Sequence, residues 1–362
     1  MPSYAPQPMA SSSQRRELPA LLEVARPFLR GELEAVDPAL PGLVAVLRSV
    51  GAGECWHKHG SFLDHLVEVY RILKIWSAPD AVARCGLFHS AYSNSYVNLV
   101  IFDPATTRDH VRALIGAPAE RLVHLFCVVP RHSIIHEDLL FRYPSNAELA
   151  ENLALSEASL REAIERGVTD PEEPWRRKIR SVLPPEGVTV RHIKTGEDVG
   201  VSRRVLAAFL LMTMADFSDQ LFGFQDALFR NDDGRLEFSG NNWAALWPGN
   251  GKPGLWVNSI SRMGAVYTLI VREEQIYLEE RKRGGGDLPS SERDEDMDLP
   301  IPPVFEGCTR VLDAGEQIAA RDMYWEAVCG GGGEGAEGLL RGCAERNPYV
   351  GEPRLVAAQV LL

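Results

Sequence analysis

From Pro19 to about Val129 apolar positions recur at intervals of three and four, the pattern of helices that bury one face. Leu21, Leu22, Val24, Ala25, Phe28 and Leu29 make one stripe, and Leu43, Val44, Val46 and Leu47 a second. Phe62, Leu63, Leu66, Val69, Tyr70 and Leu73 make a third, opened by Gly60-Ser61 and closed by Ser77-Ala78-Pro79-Asp80. Pro79 is placed to start the next helix, which runs to about His89, because first-turn N–H groups have no intrahelical partner to lose. Thr107 is a good N-cap for RDHVRALIG, Gly116 a good stop, and Pro118 a start for a helix through Cys127. A further helix is expected from Asn146 to Arg166.

The period then changes. VTVRHIKTGEDVGVS alternates apolar and polar residues about Thr195-Gly196, which predicts a small β-hairpin at roughly 188–201. Ser202 caps the strongly apolar helix VLAAFLLMTMADFSDQLFGF. RNDDGRLEFSGNNWAALWPGNGKPGLW has no clear period, and a long helix follows from Val257 to Arg283. GGGDLPSSERDEDMDLPIPP has linker composition. The expected fold is therefore all-α: a helical domain over 17–283 with one hairpin insertion, preceded by a flexible N-terminus at 1–16. An acidic, disordered linker over 284–303 and a short helical appendage over 304–362 complete it. Small and aromatic residues of the appendage are spaced as in one tetratricopeptide-like unit.

Composition narrows the function classes. With 362 residues, 45% apolar and 24% charged, the chain buries a core without help. Six cysteines lie singly, with no CxxC pair, so neither a disulfide framework nor a thiolate zinc site is indicated, and a reducing compartment, the cytoplasm, is expected. A net charge of −12 argues against a phosphate-neutralising surface for nucleic acid. No stretch approaches a membrane span, and Glu17, Glu23, Glu32 and Glu34 interrupt any secretion signal. The expected partner is a small-molecule substrate, with the C-terminal helices as the surface open to a protein partner. Neither GxxxxGK[ST] nor GxSxG occurs, and the GxGxxG spacing appears only in GNGKPG (249–254) and GGGGEGAEG (330–338), with no strand expected before either, so phosphate-cradling loops and a serine nucleophile elbow lack support.

Histidine placement is the chemical signal. Seven of the nine histidines lie between residues 57 and 132, three of them in HKHGSFLDH. His65 falls on the apolar face of its helix, His89 ends the next, and Asp216 sits in the most hydrophobic helix of the chain. A carboxylate there is costly unless its charge is offset. A divalent cation shared with neutral imidazoles does so, since each ligand exchanges its hydration for a bond to the ion. Blander roles also fit: Asp216 as a buried partner of Arg203 or Arg262, His65 as a core pair with Asp64, His89 as a helix-end histidine bonded to backbone carbonyls. His57 and His59 are close enough to fold over the same end of the His65 helix, and His132 and His136 are one helical turn apart.

His65, then His89 after 24 residues in GLFHS, then the distant Ala215-Asp216 pair resemble the HD-domain superfamily of metal-dependent phosphohydrolases, nearest its alarmone-hydrolysing branch. HKHGSFLDHL, GLFHSAY and RALIGAPAERLVHLFC together resemble an uncharacterised family of HD-like domains of unknown function, over roughly residues 40–280. The resemblance implies a metal centre on His65, His89 and Asp216, with iron, manganese or zinc suited to nitrogen and oxygen ligands, and hydrolysis of a small phosphorylated molecule. It also exposes a departure: the superfamily's signature aspartate falls on Ser90, and the acidic pair that follows the motif is replaced by AYSNSY. His57 and His59 are the nearest replacement ligands. Ser90, Tyr92, Ser93 and Asn94 are expected to line the cavity, with Arg131, Arg142, Lys252 and Arg262 as anchors for an anionic group. The loop from Leu246 to Trp256 is a candidate lid. Two rival readings stand beside hydrolysis: a non-haem iron oxygenase of the same fold, and a catalytically inactive interaction module.

Overall fold

The computed structural model describes residues 23–57, 60–92, 101–103, 105–143, 146–229, 255–284, 298–302, 305, 314–330, 335–347 and 352–361, the side chains of 146, 220–229, 255–261, 314, 317 and 352 excepted. Short helices over 23–29 and Leu33–Val36 lead into α1 (Leu40–Ser49). A two-stranded turn of β1 (Trp56–His57) and β2 (Gly60–Ser61) then opens α2 (Phe62–Ile75), followed by α3 (Asp80–Phe88), α4 (Arg108–Ile115) and α5 (Ala117–Val128). A π-helix (Ser133–Leu139) and a 3₁₀ turn (Leu140–Arg142) precede α6 (Asn146–Arg166) and α7 (Pro174–Val182). The antiparallel hairpin of β3 (Val188–Arg191) and β4 (Asp198–Val201) leads to α8 (Arg203–Phe229) and α9 (Leu255–Gly284). Three helices end the chain: α10 (Ala314–Cys329), α11 (Ala336–Arg346) and α12 (Glu352–Leu361). The fold is all-α with a small hairpin insertion, as the periodicity predicts.

Local chemistry explains the boundaries. Ser61 and Asp64 form a capping box on α2: the Ser61 hydroxyl accepts from the Asp64 N–H at 3.1 Å while the Asp64 carboxylate accepts from the Ser61 N–H at 3.0 Å. Thr107 caps α4 through the His110 N–H, and Gly116, at φ +87°, ends it in a conformation that glycine adopts without strain. Ser202 accepts from the Val205 N–H at 3.3 Å and so starts α8.

Every residue from Val205 to Phe217 is buried, so this part of α8 is enclosed on all sides, and α2, α3, α9 and α10 pack against the helix. Charged side chains then secure the outer helices. Arg176 of α7, fully buried, donates to Glu273 at 2.7 Å and to Glu280 at 2.7 Å on α9, and Arg180 reaches Glu273 at 2.5 Å. Arg203 and Arg204 converge on Glu274 at 3.2 and 3.0 Å. Arg203 thus has a glutamate partner and does not pair with Asp216.

The stretch read as linker is in part packed. Leu299 is buried and the Tyr267 hydroxyl donates to the Pro300 carbonyl at 2.8 Å, while just beyond the stretch Phe305 sits edge-on to Trp76 at 5.2 Å. Composition averages over such anchors, and two or three apolar residues among acids do not register in it. Ala320 and Cys343 of the C-terminal helices belong to the same core as the main bundle. Among the described residues no helix is long and apolar enough to cross a membrane.

Asp37 pins the first helices. Burial acts to raise its carboxyl, but the Ala39 N–H and the Arg84 guanidinium, at 2.8 and 2.9 Å, outweigh this and hold it below the ordinary value of 3.8. A group whose pKa is depressed on folding contributes stability that is complete above its unfolded value and is lost as pH falls through the folded one. Asp37→Asn is therefore expected to lower unfolding free energy by about 1–3 kcal/mol at neutral pH. The gap to the parent should close below about pH 4, as read by urea denaturation across pH.

Candidate metal centre

The site forms where α2, α3 and α8 meet. The helix α3 comes unusually close to α2 at Gly86, where a Cβ would stand 2.5 Å from Leu73 Cδ1 and 3.2 Å from Val69 Cγ1. That approach sets the ring of His89, three residues on, 5.4 Å from the ring of His65 and almost perpendicular to it. From the other side α8 delivers Asp216, whose Oδ1 lies 3.2 Å from His65 Nε2. One ligand atom each from His65, His89 and Asp216 lie within 4.8 Å of one another, and all three residues are buried. Ligands at about 2.1 Å from one ion stand at most about 4.2 Å apart, so small side-chain shifts gather this set on a single cation. Among the described residues it is the one group of three or more such side chains.

The two imidazoles are oriented by their far nitrogens. His89 Nδ1 donates to the Gly86 carbonyl at 2.7 Å, which fixes the tautomer and leaves the Nε2 lone pair open. His65 Nδ1 donates to Asp219 Oδ2 at 2.6 Å, which likewise directs Nε2 toward Asp216. A histidine whose second nitrogen donates to a carboxylate or a carbonyl is the usual arrangement of a metal-bound imidazole.

Electrostatics separates the groups. Burial alone pulls His65 down, but Asp216 and Asp219 overcome it and raise the imidazole to about 9, so a proton on Nε2 holds the position between His65 and Asp216. His89 is pushed down to about 4 by burial and is neutral at physiological pH. Burial acts to raise Asp216, yet the hydrogen bond and charge of His65, with His89 and Arg131, keep it well below the carboxylate range. Arg131, 1% exposed, stacks 3.2 Å over the Phe126 ring and donates from Nε to the Phe126 carbonyl at 2.7 Å. Phe126 in turn lies edge-on to His89 at 6.0 Å. The sequence-identified cation Arg131 is thus built into the wall of the site.

The other candidates distribute as follows. His57, on β1, is brought over the α2 N-terminus with its ring 4.5 Å from that of His65. Ser90 is buried directly after His89. The Tyr92 hydroxyl donates to Glu120 at 2.9 Å, a carboxylate that Arg108 also holds at 2.6 Å. Arg262 donates to the carbonyls of Leu140 and Tyr143, so it secures the end of the 3₁₀ turn and is not the partner of Asp216. His132 and His136 have rings 4.9 Å apart, and His136 stacks toward Phe217 at 6.2 Å, pushed to about 4 by burial. Arg142 lies on a separate cleft. His59, Ser93, Asn94, Lys252 and the 246–254 part of the proposed lid lie outside the described residues.

Asp219 was not among the sequence candidates. Asp64, beside His65 in the chain, was the partner in the alternative, core-pair reading, but Asp64 is spent on the capping box, and the imidazole turns instead to an acid 154 residues away. The available signal was spacing: Asp219 follows Asp216 by one helical turn and shares its face.

A family model described as a domain of unknown function (DUF6817) matches residues 46–131, which include β1 through α5 and both histidines but neither aspartate. No curated protein and no solved structure matches the chain.

If Asp219 orients His65 for an ion, Asp219→Ala should weaken zinc or manganese binding by about 10–100-fold. The fold, followed by circular dichroism, should be retained, and Asp64→Ala should affect helix stability while leaving affinity within a few-fold of the parent.

Proposed function

We propose that the chain is a metal-dependent hydrolase of HD-like fold acting on a small phosphorylated molecule, with the ion held by His65, His89 and Asp216. The observation that carries this reading is that His65, His89 and Asp216 each bring a ligand atom within 4.8 Å of one another, with Nδ1 of both imidazoles committed to an acceptor and His65 Nε2 3.2 Å from the buried Asp216 carboxylate. Three protein ligands from two nitrogens and one oxygen leave positions open for water and substrate, the arrangement of catalytic rather than structural sites. A divalent ion held there supplies Lewis acidity toward a phosphoryl oxygen and acidifies water. Iron, manganese and zinc all suit this donor set.

The surrounding residues favour an anionic substrate. Asp216 and Asp219 together carry the charge that a divalent ion neutralises, and the buried Arg131 then leaves the loaded site positive. Glu68, raised by burial and by Asp219, is answered by its own partner Arg71. Ser90 brings no charge where the superfamily has an aspartate, so the ion is held by fewer anionic groups and exchanges more readily.

The oxygenase reading needs a second ion, and His57, 4.5 Å from His65 ring to ring, is the described residue nearest to serving one. Metal content distinguishes the readings. Protein purified without chelators is expected to carry about one equivalent of a transition metal, lost in His65→Ala and Asp216→Ala. Hydrolysis of p-nitrophenyl phosphate should fall by about two orders of magnitude or more in the same variants. Two equivalents of iron would favour the oxygenase, and a folded, metal-free protein without affinity for any of the three metals would leave the inactive module.

A further inference from the structure

The hairpin of β3 and β4 has no part in the metal centre, yet it is held in a definite place: the Ile193 N–H, in its loop, donates to the Val128 carbonyl at the end of α5 at 2.8 Å. Its β3 strand forms one wall of a cleft with a cavity volume of about 540 Å³. The π-helix and its 3₁₀ extension, the end of α7 and the buried Leu206 of α8 supply the rest of its lining. Volumes of roughly 300–1,000 Å³ are those of small-molecule sites. Ile134, Leu139, Val188, Val190 and Leu206 give the cleft an apolar interior. A π-helix is an uncommon backbone form that recurs at functional positions, and here it supplies Ile134, Asp138 and Leu139 to the lining.

The charged residues of the cleft are Asp138, Arg142 and Lys178, two cations against one carboxylate. Lys178 already pairs with Glu148 and lies 4.4 Å over the Tyr143 ring. Arg142 is exposed and takes no ion pair or hydrogen bond among the described residues, so its guanidinium is available at the edge of the apolar surface. A guanidinium presents paired N–H donors that match a carboxylate.

We propose that this cleft is a second ligand site that binds a small amphipathic monocarboxylate, its hydrocarbon or aryl body on the valine face of β3 and its carboxylate on Arg142. The site is separate from the metal centre, since Leu206 precedes Asp216 by ten residues, about 15 Å along α8. The hairpin insertion exists, on this view, to build the wall that gives the ligand its apolar contact.

Calorimetric titration of the full chain with 3-phenylpropanoate, phenylalanine and phenethylamine tests the assignment, because the three share one body and differ in head charge. The propanoate should bind with one-to-one stoichiometry and the other two about tenfold more weakly or less. Arg142→Ala, which removes an exposed side chain, should weaken the propanoate about tenfold with an unchanged Tm. Val190→Trp, which fills the cleft, should abolish binding, and His65→Ala should bind like the parent. Absence of propanoate binding at millimolar concentration, equal binding of the three heads, or indifference to Arg142→Ala would each overturn the proposal. Loss of binding in His65→Ala would move the carboxylate to the metal centre and overturn it as well.

Discussion

An ionised carboxylate in a helix buried on every side has to be answered by opposite charge, and the Asp216 carboxylate imposes that demand on the centre of this fold. From Val205 to Phe217 the helix around it supplies no other charge, only hydrophobic residues and Thr213, whose hydroxyl donates back to the Phe209 carbonyl. Its charge is met from α2, by an imidazole that a second acid, Asp219, holds from behind. In the absence of an ion, a proton fills the gap between Nε2 and Oδ1. Proton and cation compete for the same lone pair, which is why a site of this kind can be both stable when empty of metal and receptive to it.

The rest of the centre follows from how closely two helices can approach. Only glycine at position 86 lets α3 lie against Leu73 and Val69 of α2, and the same residue provides the carbonyl that fixes the His89 tautomer. One backbone position thus sets the distance between the histidines and the nitrogen that His89 can offer, while Asp219 does the latter for His65. Arg131, stacked on Phe126, adds a fixed positive charge beside the cluster. The hairpin and the π-helix are arranged on another face, around a cleft with its own apolar and cationic chemistry.

Much of this was legible in the chain because local rules dominate helices. The stripe of Phe62, Leu66 and Val69, the caps at Ser61, Thr107 and Ser202, and the Thr195-Gly196 turn all act within a few residues, and their elements form where expected. His65, His89 and Asp216 were legible for a related reason: each is a polar residue in or at the end of a strongly apolar stretch, and their order resembles a known metal-binding pattern. What was not legible depends on partners distant in sequence. Asp64, the alternative partner of His65, is taken by the cap. Arg262 and Arg203, both candidate partners for Asp216, found carbonyls and Glu274 instead. The π-helix left no trace in periodicity, since its wider turn occupies only Ser133–Leu139.

Anomalous diffraction from crystals grown with manganese, iron or zinc and measured at the metal's absorption edge would test the central claim most directly. The account predicts one dominant peak within about 2.0–2.3 Å of His65 Nε2, His89 Nε2 and an Asp216 carboxylate oxygen, with Nδ1 of each histidine still bonded to Asp219 and Gly86. A map with no peak there, and His65 Nε2 still within hydrogen-bonding reach of Asp216, would contradict it.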